Sequence, residues 1–203
     1  AWGLANRGVA VLRYDKRTRA CDVDPATMTI DEVVTDDAIA AISRLRGHDR
    51  VADDGVVLAG HSIGATLAPR IARRDGALAG VVMLAPLGRS IPAAIVDQSR
   101  YQLALDGNLS AADQSRLEEV RAVAEQIRTG DVAEGEVLLY GGRAYWRTLT
   151  AYERFETAKR VEAPMYLAFG GRDWQVTVAD DRPRWRQALD GRDDVAIETY
   201  PPL

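Results

Sequence analysis

The run Val56-Val57-Leu58-Ala59-Gly60-His61-Ser62-Ile63-Gly64 restricts the fold more than any other part of the chain. Val56 to Ala59 reads as a short strand, apolar throughout, the pattern of a strand covered on both faces. A helical pattern follows from about Ile63 to Arg74, so strand must turn into helix within a few residues. Glycine at Gly60 and Gly64 lets the two elements approach closely around that turn. Ser62 then sits on a strained turn with its hydroxyl thrust above the sheet. The helix N-terminus beside it aims free N–H groups and partial positive charge at the same point. Pro69 falls inside the helix, where it removes one backbone bond and is predicted to bend the axis.

Apolar segments of strand length alternate with longer helical ones elsewhere. This predicts an α/β fold with a mostly parallel sheet flanked by helices. The expected strands are 8–14, 56–59, 79–85, 165–170 and 195–200. Thr29 and Glu32 are spaced as a capping box, with Val34, Ala38, Ala41 and Leu45 on one face of the helix behind it and Gly47 at its end. From Arg89 to about Thr150 the strand rhythm stops. Ser110 and Asp113 form a second capping box, followed by Leu117, Val120, Ala124 and Ile127 at helical spacing before Gly130. The stretch 89–150 is expected to be a helical cap inserted between core segments 1–88 and 151–203; the alternative is a pair of ordinary surface helices. Thr177 to Asp180 should open a helix with Val178, Arg182, Trp185 and Leu189 on one face, in which Pro183 sits awkwardly.

At 203 residues the chain is long enough for one domain. With 47% hydrophobic and 28% charged residues it is globular rather than disordered. The net charge of −4 gives no electrostatic reason to expect nucleic acid or an anionic membrane as partner. No apolar run nears the ~20 residues of a membrane helix. The start Ala-Trp-Gly-Leu has no signal-peptide pattern, as a chain that had lost its signal would also lack. Cys21 is the sole cysteine, so no internal disulfide and no zinc site can be built on it; it points to a cytoplasmic location.

Ser62 is the candidate nucleophile, with the N–H of Ile63 as oxyanion donor. Asp173 lies just past the carboxyl end of strand 165–170, the edge where open α/β sheets build their sites. There it could orient and stabilise an imidazolium. Its alternative use is to cap the next helix. Asp180 and Asp181 compete less well, being placed inside that helix. The base is the difficulty. His61 precedes Ser62 within the turn, its ring expected to point away from the hydroxyl, and His48 sits in a polar loop at the opposite sheet edge. The order Ser, acid, His puts the base after the last strand.

These residues resemble the α/β-hydrolase fold and, within it, bacterial serine carboxylesterases of the dienelactone hydrolase and serine aminopeptidase-like group. The matching segments are Arg7 to Arg17, the Gly60–Gly64 elbow with Leu67 to Ala72, Ala144-Tyr145-Trp146, and Gly170 to Val176. The resemblance spans essentially the whole chain and accounts for Pro69. It implies that Ser62 is the nucleophile and Asp173 the triad acid. It also implies that early strands and the loop with the second oxyanion donor precede Ala1, and that the catalytic His follows Leu203. The chain would then be the interior of a longer hydrolase, inactive on its own, and its bared sheet edges would favour poor solubility or association. Serine at the elbow argues against the dehalogenases and epoxide hydrolases of this fold, which use aspartate, and Cys21 lies too far along the chain for a thiol variant. No metal or organic cofactor is expected.

The expected substrate is a small carboxylic ester, with no nucleic acid and no membrane as partner. Tyr101, Leu103, Leu105, Tyr140, Tyr145 and Trp146 could line an acyl or alkyl pocket, core packing being the alternative. Tyr145, Trp146 and Trp174 are the candidate substrate-binding residues. Two other readings are a catalytically inactive fragment or binding scaffold, and an aminopeptidase-like amide hydrolase using Glu118, Glu119 or Glu125 to hold a substrate amine.

Overall fold

The computed structural model describes residues 2–52 and 55–202. The short helices α1 (Trp2–Ala5) and α2 (Arg17–Ala20) come first. A π turn, Asp31–Thr35, runs directly into α3 (Asp36–Arg46). Then follow β1 (Val57–His61), α4 (Ile63–Asp75) and β2 (Gly80–Leu84). Helices α5 (Ile91–Leu103) and α6 (Ala111–Thr129), the hairpin β3 (Val137–Leu138) and β4 (Gly141–Gly142), α7 (Arg143–Thr150) and α8 (Arg154–Lys159) separate β2 from β5 (Met165–Gly170). Helix α9 (Arg182–Ala188) and β6 (Val195–Tyr200) complete the order.

Four strands form one parallel sheet in the order β1-β2-β5-β6. His61 stands opposite Leu84, Leu84 opposite Ala168, and Gly170 opposite Tyr200, so all four carboxyl ends lie along one edge. One continuous buried cluster holds the molecule together. It takes Leu67 and Ile71 from α4, Val81 and Met83 from β2, Leu167 and Phe169 from β5, and Trp185 from α9. Ile91, Ala94, Ile127, Tyr145, Trp146 and Leu149 from the stretch 89–150 belong to the same cluster. Part of that stretch is therefore core wall rather than a separate layer.

Local chemistry explains most boundaries. Ser110 and Asp113 form a reciprocal capping box at α6, and Gly130 ends it at φ 76°, a conformation open to glycine. Thr29 and Glu32 also bond each other, through Thr29 N and Oγ1 to Glu32 Oε2 at 2.8 and 2.9 Å. The helix they start buries Val34, Ala38 and Ile42, while Ala41 and Leu45 are half-buried, a slightly rotated face. The α3 and α4 ends are joined by the Arg46–Asp75 pair at 2.8 Å.

Three expectations fail. Residues 8–14 form no strand: Gly8 lies in a turn at φ 79°, 9–14 have no ladder partner among the described residues, and Val9, Val11, Leu12 and Tyr14 are exposed. A strand exists only where a neighbour takes its hydrogen bonds. The strand 56–59 is not covered on both faces either. It forms as β1, at the sheet edge, with Val57, Ala59 and His61 exposed. Thirdly, residues 177–181 are turns, and α9 begins only at Arg182. This puts Pro183 in its first turn, where no N–H is missed, so the awkward position disappears.

Candidate active site

The strand–turn–helix at Ser62 has the geometry that its sequence requires. Ser62 follows β1 and precedes α4 with φ 53° and ψ −119°, a backbone conformation that non-glycine residues seldom adopt. Three hydrogen bonds over-determine it. The Ser62 amide donates to Leu84 O at 2.9 Å, while its carbonyl accepts from the Thr66 amide and hydroxyl at 2.9 and 3.0 Å. The Ser62 side chain does not cap α4, so its hydroxyl remains exposed and free for other work. The Ile63 N–H stands at the helix N-terminus with no acceptor among the described residues.

The two glycines of the turn differ. A Cβ on Gly60 would lie 2.5 Å from Gly64 O, so the strand and helix backbones meet there. A Cβ on Gly64 meets nothing, which corrects the expectation that both are needed for close approach.

Thr66 was not singled out by sequence. Its hydroxyl donates to Ser62 O and accepts from the Leu87 amide at 2.9 Å, tying the elbow to the loop after β2. A hydroxyl one turn into a helix that follows G-x-S-x-G was the available signal.

Asp173 stands in the turn after β5, at the same sheet edge as Ser62. Its Oδ1 accepts from the Gln175 and Val176 amides at 2.9 and 3.0 Å. Its Oδ2 has no hydrogen bond among the described residues, so one oxygen is left for a further donor. The end of β6 closes on this turn. Gly171 N donates to Tyr200 O at 2.9 Å, and a Cβ on Gly171 would lie 2.8 Å from Pro201 Cα.

Asp181 is fully buried and committed elsewhere. Its carboxylate accepts from the amides of Gly88, Arg89 and Thr177 and from the Arg89 guanidinium, at 2.8 to 3.2 Å. No lone pair remains for a histidine. Asp180 bonds Thr177 Oγ1 at 2.7 Å. Arg89 also reaches Asp97 of α5 at 2.6 Å and Gln175 O at 2.9 Å, where Gln98 Nε2 joins it. Burial pulls the Arg89 pKa down, but the bonds and charges of Asp181 and Asp97 outweigh it and hold the guanidinium charged. Arg89 thus links the Asp173 turn, the loop after β2 and α5. Sequence reasoning missed it, since nothing local marks an arginine whose partners lie 8 to 92 positions away.

Neither histidine approaches a base's position. His48 is exposed and its Nδ1 accepts from the Arg50 amide at 3.2 Å, within its own loop. His61 shares the bare face of β1 with Val57 and Ala59. Burial raises the pKa of the Tyr140 and Tyr145 hydroxyls, which stay neutral and serve as no base. Among the described residues no three His, Cys, Asp or Glu side chains gather as metal ligands, and no helix is long and apolar enough to cross a membrane.

Two cavities open at the nucleophile, of about 420 and 110 Å³. Both are lined by Ser62, Ile63 and Tyr140. Tyr145 lines the larger. Trp146 is buried, donates its indole N–H to Leu138 O at 3.1 Å, and touches neither cavity. Trp174 stacks on Tyr101 with ring centroids 4.9 Å apart, also outside both.

Comparison with known proteins fits this geometry. The model of the alpha/beta hydrolase family matches residues 2–202. Esterase EstD of Thermotoga maritima is 37% identical over 203 residues, all of this chain and 47% of its own length. The chain thus spans about half of that relative. Among solved structures, an acetyl xylan esterase from Paenibacillus sp. R4 is similar in fold at TM-score 0.51 and 16% identity, over 85% of this chain and 47% of that one. A putative non-heme bromoperoxidase, BpoC, of Mycobacterium tuberculosis gives TM-score 0.50 at 16% identity, over 88% and 67%.

Proposed function

The chain belongs to the alpha/beta hydrolase family, and on that premise we propose that the protein carrying it is a serine hydrolase of small carboxylic esters. The observation that carries the reading is Ser62: a serine held at φ 53°, its hydroxyl exposed beside the free amide of Ile63 and two cavities. Similarity to an esterase over the full chain supports the ester as substrate.

In this mechanism the Ser62 Oγ forms a bond to the acyl carbon as its proton passes to a histidine. The carbonyl π pair moves onto oxygen, where the Ile63 N–H bonds the oxyanion. The pair returns, the bond to the leaving oxygen breaks, and the histidine gives that oxygen its proton. Water then repeats the sequence on the acyl-enzyme. Asp173 Oδ2 holds the imidazolium. Neither His48 nor His61 is placed for this, so the reading assigns the base, and a second oxyanion donor, to the whole protein outside these residues. No metal or organic cofactor enters any step.

The test is an intact mass of the whole protein before and after a fluorophosphonate, with p-nitrophenyl butanoate and an aminoacyl-nitroanilide as substrates. One adduct on Ser62, loss of adduct and ester turnover in Ser62→Ala, and no anilide turnover are expected. Labelling elsewhere, or ester turnover that survives Ser62→Ala, overturns the reading. Preferred turnover of the anilide replaces the esterase with an amide hydrolase. Inertness towards both points to a binding scaffold.

A further inference from the structure

Two amides, those of Gln175 and Val176, hold the Asp173 carboxylate by its Oδ1. The carboxylate is therefore placed no better than the peptide between these two residues. The other end of that peptide is held from outside the turn. Gln175 O accepts from Arg89 Nη2 at 2.9 Å and from Gln98 Nε2 at 3.1 Å. The Gln175 carbonyl and the Val176 N–H belong to one planar amide, so fixing the oxygen fixes the direction of the N–H. A cationic donor on the oxygen also polarises the amide and strengthens the N–H bond to Oδ1. Arg89 thus reaches the Asp173 carboxylate across a single amide.

That contact is more than the charge of Asp181 requires. The buried Asp181 carboxylate takes Arg89 Nε and Nη2 at 3.2 and 2.9 Å. Nη2 has a second N–H, which goes to Gln175 O, and Nη1 goes to Asp97 at 2.6 Å. A planar fork pinned at two carboxylates has no freedom to turn away from Gln175 O. Its backbone is pinned as well: the Arg89 amide donates to Asp181 Oδ1 at 2.9 Å, and Arg89 O accepts from Arg154 Nη1 at 2.7 Å. Two residues earlier the Leu87 amide donates to Thr66 Oγ1, whose hydroxyl bonds Ser62 O. One short loop therefore reaches the serine elbow on one side and the Asp173 turn on the other. Helix α5 braces the same turn, since Tyr101, one helical turn after Gln98, stacks on Trp174.

We propose that Arg89 is a positioning residue for the reaction at Ser62: through the Gln175–Val176 amide it keeps the Asp173 carboxylate in one orientation, with Oδ2 left for the imidazolium, and through residues 87–89 it ties that carboxylate to the serine elbow. Arg89 touches no reacting atom and takes no proton. This rests on the reading of Ser62 as the nucleophile and Asp173 as the acid.

The experiment uses the whole protein with p-nitrophenyl butanoate, and the rate of fluorophosphonate labelling of Ser62 is measured in parallel. Arg89→Lys keeps a positive charge beside Asp181, but an ammonium presents its donors from one atom and does not span Asp181, Asp97 and Gln175 O together. It should lower kcat by about tenfold while KM stays within about twofold, and labelling should slow by the same factor as kcat. In an Asp173→Asn background the same substitution should slow labelling no further, whereas a contribution to packing alone would multiply through unchanged. Thermal unfolding of each variant checks that it is folded. If Arg89→Lys does not fold, Asp97→Ala serves: it frees one arm of the fork from a half-exposed helix position, leaves Asp181 paired, and should lower kcat by about threefold, again only while Asp173 is present. An unchanged kcat in the folded variant, or a fall that persists in the Asp173→Asn background, overturns the role of Arg89. Native turnover in Asp173→Asn, or a native protein that is not labelled on Ser62, fails the underlying reading, and the role of Arg89 falls with it.

Discussion

The two edge strands of the sheet are written differently. Strand β6 alternates: Val195, Ile197 and Thr199 face inward while Ala196, Glu198 and Tyr200 are exposed, a pattern fit for one wet face. Strand β1 is apolar from Val57 to Ala59, and Val57 is 51% exposed. The same contrast separates the two flanks of Ser62. On the β5 side Arg89, Asp181, Asp97 and Gln175 lock three segments into one buried network. On the β1 side Val57, Ala59 and His61 are exposed, and elsewhere Val9, Val11, Leu12 and Tyr14 lie exposed along a segment with no ladder partner among the described residues. Among the described residues the hydrogen bonds that fix Ser62 come from Leu84 of β2 and Thr66 of α4.

The largest test of that asymmetry is Arg89→Met. It strands the Asp181 charge in the interior, and an unpaired buried charge costs about 3–5 kcal/mol. Urea unfolding should show that loss; a change below about 1 kcal/mol would mean that the network does not carry the flank. Next comes the elbow itself. Gly60→Ala drives a methyl into the α4 backbone and should destabilise by about 1–3 kcal/mol while abolishing fluorophosphonate labelling of Ser62 in the whole protein. Gly64→Ala meets open space and should keep both. Equal damage from the two would show that the β1 side is more crowded than the structure describes.

A smaller effect, read by pH, probes the covered face of β1. The bond to Arg46 holds the Asp75 carboxyl below the usual carboxylate range. A depressed folded value stabilises the protein above the unfolded value of about 3.9 and is lost as pH falls through the folded one. Asp75→Asn should then cost about 1 kcal/mol at neutral pH and nothing at pH ~2. A constant cost across pH would assign the effect to packing. Last, Val57→Lys on the bare face should change stability by less than about 0.5 kcal/mol and reduce self-association in light scattering. A loss of several kcal/mol would place Val57 in a covered layer and abolish the contrast.

Sequence periodicity carried the fold where burial and pattern agree. Residues 165–170 and 195–200 are strands at the predicted bounds, and the Ser110–Asp113 capping box forms in full, while at Thr29 only the bonds to the Glu32 carboxylate form. It failed at 8–14 because apolar alternation reports a preference for burial, whereas a strand also needs a partner for its backbone. The G-x-S-x-G context exposed Ser62 and Ile63, since strand, glycines and helix are local. Asp173 was legible from its turn. Arg89 and Thr66 were not, because their roles arise from contacts across the fold: Arg89 meets Asp181, and Thr66 meets the Leu87 amide, only after the sheet has closed.

The parallel pairing of β2 with β5 also bears on how the chain folds and varies. Strands β1 and β2 are bridged by one helix, whereas β2 ends at Leu84 and β5 begins at Met165. Contacts of low sequence separation form fastest, so β1-α4-β2 closes before β5 is recruited. The intervening segment enters that second step as a loop, and doubling a loop costs only ~0.6 kcal/mol of closure entropy. Length added or removed at the exposed turn 105–108, between α5 and α6, is thus nearly neutral to the sheet.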